Sequence, residues 1–333
     1  MNPVHAATLV LDTHIDIRWP DPPEWTAQTM QLVDLPKMRA GGVRAGVFVA
    51  YVPQGRRDAQ GHAQATARAE AMLAHIRDRG AAPGCRFCPG PDALEATVAA
   101  GEVAVLAAVE NGYAMGRDLS RLQAWRRLGA VYLTLTHDGH NDLADSARPK
   151  PALGDAPVEH GGLSPLGEAA LAEMNRIGLM IDCSHVAKPA MLRAAELSRA
   201  PIVITHTACA ALCPHPRCVD DEQLDAVRAS GGVVQITAVP AFLRPGPEGQ
   251  PARATVADLV DHIDHAVGRI GIAHVGISSD FDGGGAVQGW AHAGETAAVT
   301  EELLARGYDA HAIGLLWSGN FLRVWRAVLA AAD

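Results

Sequence analysis

The sequence has no long apolar run and no block of basic residues. No uninterrupted apolar segment approaches the roughly 18 residues that a membrane-spanning helix needs, so we expect no transmembrane helix. Acidic residues outnumber basic ones, 37 against 28, and the formal net charge is −9. An acidic chain of this kind argues against nucleic acids and anionic membranes as partners. Neither a signal-peptide pattern nor a lipid-anchor tail is present, so we expect a cytoplasmic protein.

Cysteine is also scarce, with six residues in 333. In a large chain expected to be cytoplasmic, we interpret them as free thiols. Cys85 and Cys88 form a Cys-x-x-Cys pair. No second such pair accompanies it, and it lies in a segment rich in glycine and proline rather than at the start of a helix. We therefore predict a loop there, without a chemical role.

Short apolar segments bounded by turn signals alternate with helical patterns along the whole chain. The predicted strands are Thr8–Leu11, Ala45–Val52, Val103–Val109, Ala130–Thr136, Leu179–Ile181, Pro201–Thr205, Gly232–Thr237 and His274–Ile277. Parallel neighbours require a crossover connection, so this alternation indicates a (β/α)8 TIM barrel, with residues 1–333 forming a single domain. An open doubly wound sheet is the main rival, but no Gly-x-Gly-x-x-Gly follows a strand.

Polar residues stand where these strands end. In a (β/α)8 barrel the carboxyl ends of all strands meet at one face, which is where active sites lie. Any one such residue is more often structural than functional, whereas several at equivalent positions indicate a metal site. The residues at these ends are His14, Asp16, Glu110, His137, His185, His206 and Asp280.

The residue types suggest which metal would bind. Imidazoles combined with carboxylates suit Zn²⁺, and less often Mn²⁺, Fe²⁺, Co²⁺ or Ni²⁺, whereas Mg²⁺ and Ca²⁺ prefer oxygen alone. Five candidate ligands exceed the three that one catalytic zinc usually takes, but they suffice for two ions if a carboxylate bridges. Glu110 lies between the other two pairs and is the predicted bridge. Two such ions would generate a hydroxide and polarise a carbonyl, which is hydrolytic chemistry. The five predicted ligands are His14, Asp16, Glu110, His185 and His206.

Three further residues fit the same reaction. Asp280 is placed to exchange protons with water and the leaving group, and His137 to stabilise charge on the carbonyl oxygen. Arg217, in the loop after the sixth strand, is a candidate for gripping a substrate carboxylate, although a loop arginine is more often a surface charge. A second His-x-Asp, His140 and Asp142, lies beyond the fourth strand, and we interpret these two as polar loop residues.

With these residues, the chain resembles the membrane (renal) dipeptidase family of zinc peptidases, family M19. The similarity runs over nearly the whole chain. The segments that carry it are Asp12–Asp16, Glu110–Gly112, Tyr132–His137, Ala144–Ser146, Gly162–Pro165, Ile181–Val186, Ser198–Pro201, His206 with Arg217, Ser279–Gly283 and Gly319–Val324.

The resemblance implies an amidohydrolase-like barrel that holds two zinc ions, one on His14 and Asp16 and the other on His185 and His206, bridged by Glu110. It implies that His137 and Arg217 bind the carbonyl oxygen and the C-terminal carboxylate of a dipeptide. It also implies Asp280 as the proton shuttle. The family cleaves dipeptides, often with a D-residue at the C-terminal side, and some members open β-lactams.

The resemblance leaves some points open. The loops around 18–23 and His140 differ from those of the mammalian members, so substrate preference is not set. A barrel metallohydrolase acting on a lactam, a cyclic amide or a phosphoester remains the alternative. A modified lysine as the metal bridge is disfavoured, because Lys37, Lys150 and Lys188 do not end the third or fourth strand. A non-enzymatic binding barrel is a third hypothesis, and a homodimer is compatible with the sequence.

Overall fold

The computed structural model describes residues 2–246 and 252–333, and its centre is a parallel sheet. Eight strands follow one another in the order β1-β2-β4-β5-β6-β7-β8-β9, while β3 pairs only with β4. The strands are β1 (Val10–Ile15), β2 (Val43–Tyr51), β3 (Cys85–Phe87), β4 (Val103–Glu110), β5 (Ala130–Thr134), β6 (Met180–Asp182), β7 (Val203–Thr207), β8 (Val233–Thr237) and β9 (Val275–Ser278).

The last strand returns to the first and nearly closes the barrel. The backbone N–H of Asp280 donates to the carbonyl of His14 over 3.1 Å, and that of Asp16 donates to the carbonyl of Phe281 over 3.0 Å. These bonds lie just beyond the end of β9, at the carboxyl ends of the strands. The predicted (β/α)8 barrel is therefore confirmed, and its closure brings the segments around His14 and Asp280 together.

Helices connect the strands and cover the outside of the sheet. They are α1 (Pro3–Ala7), α2 (Leu35–Ala40), α3 (Ala59–Arg79), α4 (Pro91–Ala99), α5 (Ser120–Arg127), α6 (Pro165–Ile177), α7 (Lys188–Leu197), α8 (Asp221–Ala229), α9 (Pro240–Leu243), α10 (Val256–Ile270), α11 (Ala297–Ala305), α12 (Ala310–Gly314) and α13 (Asn320–Ala330). A π-helical turn over Leu315–Gly319 separates α12 from α13. Within the two described ranges, no helix is both long and apolar enough to cross a membrane.

The strands are apolar on both faces, as parallel strands covered by helices require. In β2, Ala45, Val47 and Val49 join a cluster that also contains the α13 side chain Trp325. Phe48, which points to the opposite face of the same strand, belongs to the larger cluster that packs beneath the helices. Buried apolar area on both faces leaves the strand ends as the place for polar side chains.

The structure corrects two local predictions. The segment around Cys85 and Cys88 was predicted to be a loop, but Cys85–Phe87 forms β3, which pairs with Val103–Val105 at the start of β4. The predicted fourth strand also ends too late, since β5 stops at Thr134 and the chain turns before His137. All six cysteines are free thiols, as expected.

Candidate metal centre

A pocket of about 830 Å³ opens at the carboxyl ends of the barrel strands. It is lined by seven of the eight residues that the sequence singled out, among them Glu110, Arg217 and Asp280. The eighth, His14, is completely buried in β1. Residues scattered from position 14 to position 280 are thus brought to one place by the barrel.

One carboxylate oxygen, Oε1 of Glu110, lies at the centre of the site. The Nε2 atoms of four histidines surround it, His185 at 3.3 Å, His206 at 3.5 Å, His14 at 3.7 Å and His137 at 4.0 Å. Burial is the main reason that the pKa of Glu110 is raised well above its usual value, with Asp16 and Asp280 adding to it. A buried carboxylate among imidazole nitrogens needs a cation to remain ionised.

The orientation of His14 is fixed by the residues behind it. Its Nδ1 lies 3.0 Å from the hydroxyl of Tyr132, and that hydroxyl donates to the carbonyl of Thr13 over 3.0 Å. The proton of the His14 ring therefore belongs on Nδ1, which leaves the lone pair of Nε2 facing Glu110 and Asp16. Among the described residues this buried Nε2 has no hydrogen-bond partner. Burial lowers the pKa of His14 to about 3, so the imidazole is neutral, as a metal ligand must be.

The rings of His185 and His206 also direct their Nε2 atoms to the centre of the site. Their Nε2 atoms are 2.9 Å apart, a distance at which two lone pairs repel unless a proton or a cation lies between them. The Nδ1 of His206 faces the hydroxyl of Thr205 at 3.0 Å, and this hydroxyl donates to Asp182 over 2.7 Å. The Nδ1 of His185 lies 3.5 Å from a carboxylate oxygen of Asp138. Both rings therefore direct Nε2 towards Glu110.

Asp182, which sequence reasoning did not single out as a site residue, lies beneath the histidines and holds the groups that orient them. It is completely buried at the end of β6. Its Oδ2 accepts from the hydroxyls of Thr134 and Thr205 over 2.6 and 2.7 Å, and its Oδ1 accepts from the backbone of Ser184 and Thr205 over 3.0 Å each. This carboxylate therefore ties β5, β6 and β7 together beneath the histidines.

Two more carboxylates, Asp16 and Asp280, meet on the β1 side of the site. Together with His14 they place three candidate ligand atoms within 4.8 Å of one another. Burial raises the pKa of Asp280 to about 7, while the nearby Arg217 lowers it. The turn that follows leaves no room for a larger residue, because a Cβ on Gly283 would come within 2.1 Å of Asp16 and 2.4 Å of Asp280.

Arg217 reaches the pocket from the loop that follows β7. It is 4% exposed, and its guanidinium donates to the carbonyl of His206 over 3.1 Å and lies 5.3 Å from the ring centre of Phe242. Its Nε has no hydrogen-bond partner in the described part of the chain. His215, which the sequence did not mark as a site residue, lines the pocket and accepts from the backbone N–H of Arg217 over 3.1 Å. A buried, partly unpaired guanidinium is suited to a carboxylate.

His137 reaches the site from the loop after β5. Burial lowers the pKa of His137 to about 3, so this ring is neutral. It packs between two other rings, with centres 4.7 Å from Tyr51 and 4.0 Å from His185.

The second His-x-Asp pair lies in a loop, as the sequence suggested. His140 accepts from the backbone N–H of Ser146 over 2.9 Å, and its other nitrogen faces the carbonyl of Ala156 at 2.9 Å. Asp142 lies 3.0 Å from His62. Neither His140 nor Asp142 is part of the pocket wall.

The residues therefore fit divalent cations. Among the described residues, three groups of candidate ligands share members, and Glu110 belongs to two of them. Neutral imidazoles whose free nitrogens converge on buried carboxylates make a donor set suited to zinc.

Comparison with known proteins identifies the family of the chain. The model of the membrane dipeptidase family, peptidase family M19, matches residues 1–333. The chain belongs to this family. Among curated proteins it is 38% identical over 229 residues to the dipeptidase tcpJ of Claviceps purpurea, a match that spans 68% of this chain and 52% of that protein. The chain thus matches about half the length of such curated relatives.

Solved structures match over nearly their full length. The probable dipeptidase PvdM of Pseudomonas aeruginosa superposes with a TM-score of 0.92 and 30% identity, covering 99% of this chain and 97% of the other. A metallopeptidase of Rhodobacter sphaeroides, liganded with a phosphinate mimic of the dipeptide L-Ala-D-Ala, gives a TM-score of 0.82 and 27% identity, with 96% and 99% covered.

Proposed function

We propose that this protein is a metal-dependent dipeptidase that holds two divalent ions, zinc by preference, with Glu110 between them. His14 and Asp16 would hold one ion, and His185 and His206 the other. The observation that carries the proposal is the convergence of four imidazole nitrogens within 4.0 Å of one oxygen of Glu110. When bound, such ions supply an acidified water and polarise the scissile carbonyl.

The carboxylate of the substrate would be held by a positively charged side chain. Arg217 is buried and lacks a carboxylate partner among the described residues, so it is suited to the C-terminal carboxylate of a dipeptide. A dipeptide mimic bound to the Rhodobacter sphaeroides relative supports the same substrate class for this chain.

Proton transfer would fall to Asp280. With a pKa near 7, its carboxylate can take a proton from the attacking water and pass it to the leaving amine. His137 is neutral and can donate a ring N–H to the carbonyl oxygen as negative charge develops there. Both side chains line the same pocket as Glu110.

A panel of dipeptides that includes both L- and D-residues at the C-terminal position tests the proposal. The purified protein is assayed as isolated, after chelation, and after Zn²⁺ is added back. We expect hydrolysis that chelation abolishes and zinc restores. Activity that survives complete metal removal, or a metal-loaded protein that cleaves none of the dipeptides, would contradict the proposal.

A further inference from the structure

We infer that Arg68 is a specificity-determining residue that selects dipeptides with an acidic side chain on their N-terminal residue. The inference rests on the proposed dipeptidase function and adds a substrate class to it. It depends on an arginine that lines the same pocket but has no counter-charge among the described residues.

Arg68 comes from α3, yet it reaches the rim of the barrel. Its Nε donates to the carbonyl of Tyr51 over 3.0 Å. Tyr51 is the last residue of β2 and is paired in register with Glu110 on β4. Neighbouring strands are about 4.8 Å apart, so Arg68 is anchored one strand away from the central carboxylate. Arg68, Tyr51 and Glu110 all line the same pocket.

The positive charge of Arg68 has no acidic partner in the part of the chain that the structure describes. The side chain is half-buried, and burial lowers its pKa. Within residues 2–246 and 252–333, no carboxylate lies within 4.0 Å of it. Its bond to Tyr51 uses Nε and leaves both terminal nitrogens free to bind a ligand. A partly desolvated cation without a partner costs free energy, which an anionic group of a ligand would offset.

Arg18 extends the same wall. It lies three residues after the end of β1, is exposed, lines the pocket, and forms no ion pair in the described ranges. Trp19 beside it also lines the pocket. The β1–β2 side of the pocket therefore carries two unpaired arginines, whereas the pocket residue Arg148 lies 3.2 Å from Asp138.

The position of this wall indicates which part of a substrate it meets. In the barrel order, β2 lies four strands from β7 in either direction, and Arg217 lies in the loop that follows β7. A dipeptide whose C-terminal carboxylate is at Arg217 and whose scissile bond is above Glu110 extends its N-terminal residue towards β1 and β2. Its side chain then approaches Arg68, where an aspartate or glutamate side chain forms a two-pronged ion pair.

The experiment compares kcat and KM for Glu-Ala, Asp-Ala, Ala-Ala and Lys-Ala in the zinc-loaded protein. We expect the acidic pair to give the highest kcat/KM. In Arg68→Gln, kcat/KM for the acidic pair should fall about tenfold to a hundredfold, mainly through KM, because a charge-assisted hydrogen bond is lost. Ala-Ala should change less than about threefold, and Arg68→Glu should shift the preference to Lys-Ala.

Arg126→Gln is the matched control. Arg126 is also a half-buried helical arginine that donates to a backbone carbonyl, that of Pro89, and it lies outside the pocket. We expect its substrate profile to equal that of the wild type. An equal fall for all four dipeptides in Arg68→Gln, or a wild type indifferent to the N-terminal charge, would overturn the inference while leaving the dipeptidase function intact. A metal-loaded wild type that cleaves none of them would instead contradict the proposed function.

Discussion

Replacing Asp182 with asparagine should weaken metal binding at a distance from the ligands themselves. The three bonds that Oδ1 accepts, from the backbone of Ser184 and Thr205 and from the Ser184 hydroxyl, can be kept by the asparagine oxygen. The new amide NH₂ then replaces Oδ2 and faces the hydroxyls of Thr134 and Thr205. Because the amide donates, the Thr205 hydroxyl must turn its own proton towards Nδ1 of His206. The proton of His206 would move to Nε2 and block the ligand atom.

The structure sets the size of this effect. Two hydrogen bonds to a charged oxygen become bonds to a neutral amide, which lowers the free energy of unfolding of the metal-free protein by about 2–4 kcal/mol. Loss of a residue that orients a metal-bound histidine typically weakens metal affinity about 10- to 100-fold. Zinc affinity is measured by titration against a competing chelator, and stability by urea unfolding of the metal-free protein.

Asp145→Asn provides the control for Asp182→Asn. Asp145 is also buried and accepts backbone N–H groups from Glu159, His160 and Gly162 at 3.0 to 3.1 Å, but it does not line the pocket. We expect it to lose stability while keeping the zinc affinity of the wild type. Wild-type zinc affinity in Asp182→Asn, or an equal loss in Asp145→Asn, would refute the reasoning about His206.

Three more predictions concern the groups that line the pocket. Asp280 must be ionised to take a proton, and burial raises its pKa to about 7, so kcat/KM should rise with pH to a plateau. The midpoint should lie at or below about 7, because bound cations favour the carboxylate. Asp280→Asn should remove most activity, and a flat pH profile of the wild type would contradict this role. Arg217→Lys should raise KM for dipeptides about tenfold or more but spare a substrate without a carboxylate, and unchanged dipeptide kinetics would remove Arg217 from its role. Asp138→Asn should weaken zinc affinity through His185, whose Nδ1 lies 3.5 Å from Asp138. A zinc affinity equal to that of the wild type, measured by titration against a chelator, would show that this contact does not contribute to metal binding.

Much of the barrel could be predicted because its strands are apolar on both faces and alternate with helices. Seven of the site residues were found because they stand at the ends of predicted strands. Position at a strand end indicates a site residue, whereas a His-x-Asp pattern alone does not. The fold is confirmed, and the eight predicted site residues do gather at one end of the barrel, while their roles remain proposals. His140 and Asp142 show the difference, because they share the pattern but lie in a loop outside the pocket.

Other features were not readable from sequence for physical reasons. The three-residue strand Cys85–Phe87 is too short to show an alternating pattern, and pairing with β4 stabilises it. Arg68 lies in the middle of a helix, and only the packing of α3 against the barrel brings it to the pocket. In the sequence, Asp182 looks like the end of a strand three residues before His185. Its role appears only when its bonds to Thr134 on β5 and Thr205 on β7 are traced.

The central claim is that Glu110 joins two cations into one hydrolytic centre. The most direct test is the metal content per chain, measured by mass spectrometry as metal-free protein is titrated with zinc and assayed on a dipeptide in parallel. We expect activity to reach its maximum at two ions per chain in the wild type, and Glu110→Ala to retain no more than one ion and little activity. Full activity with one ion or none, or a Glu110→Ala protein that still binds two ions and cleaves dipeptides, would contradict the claim.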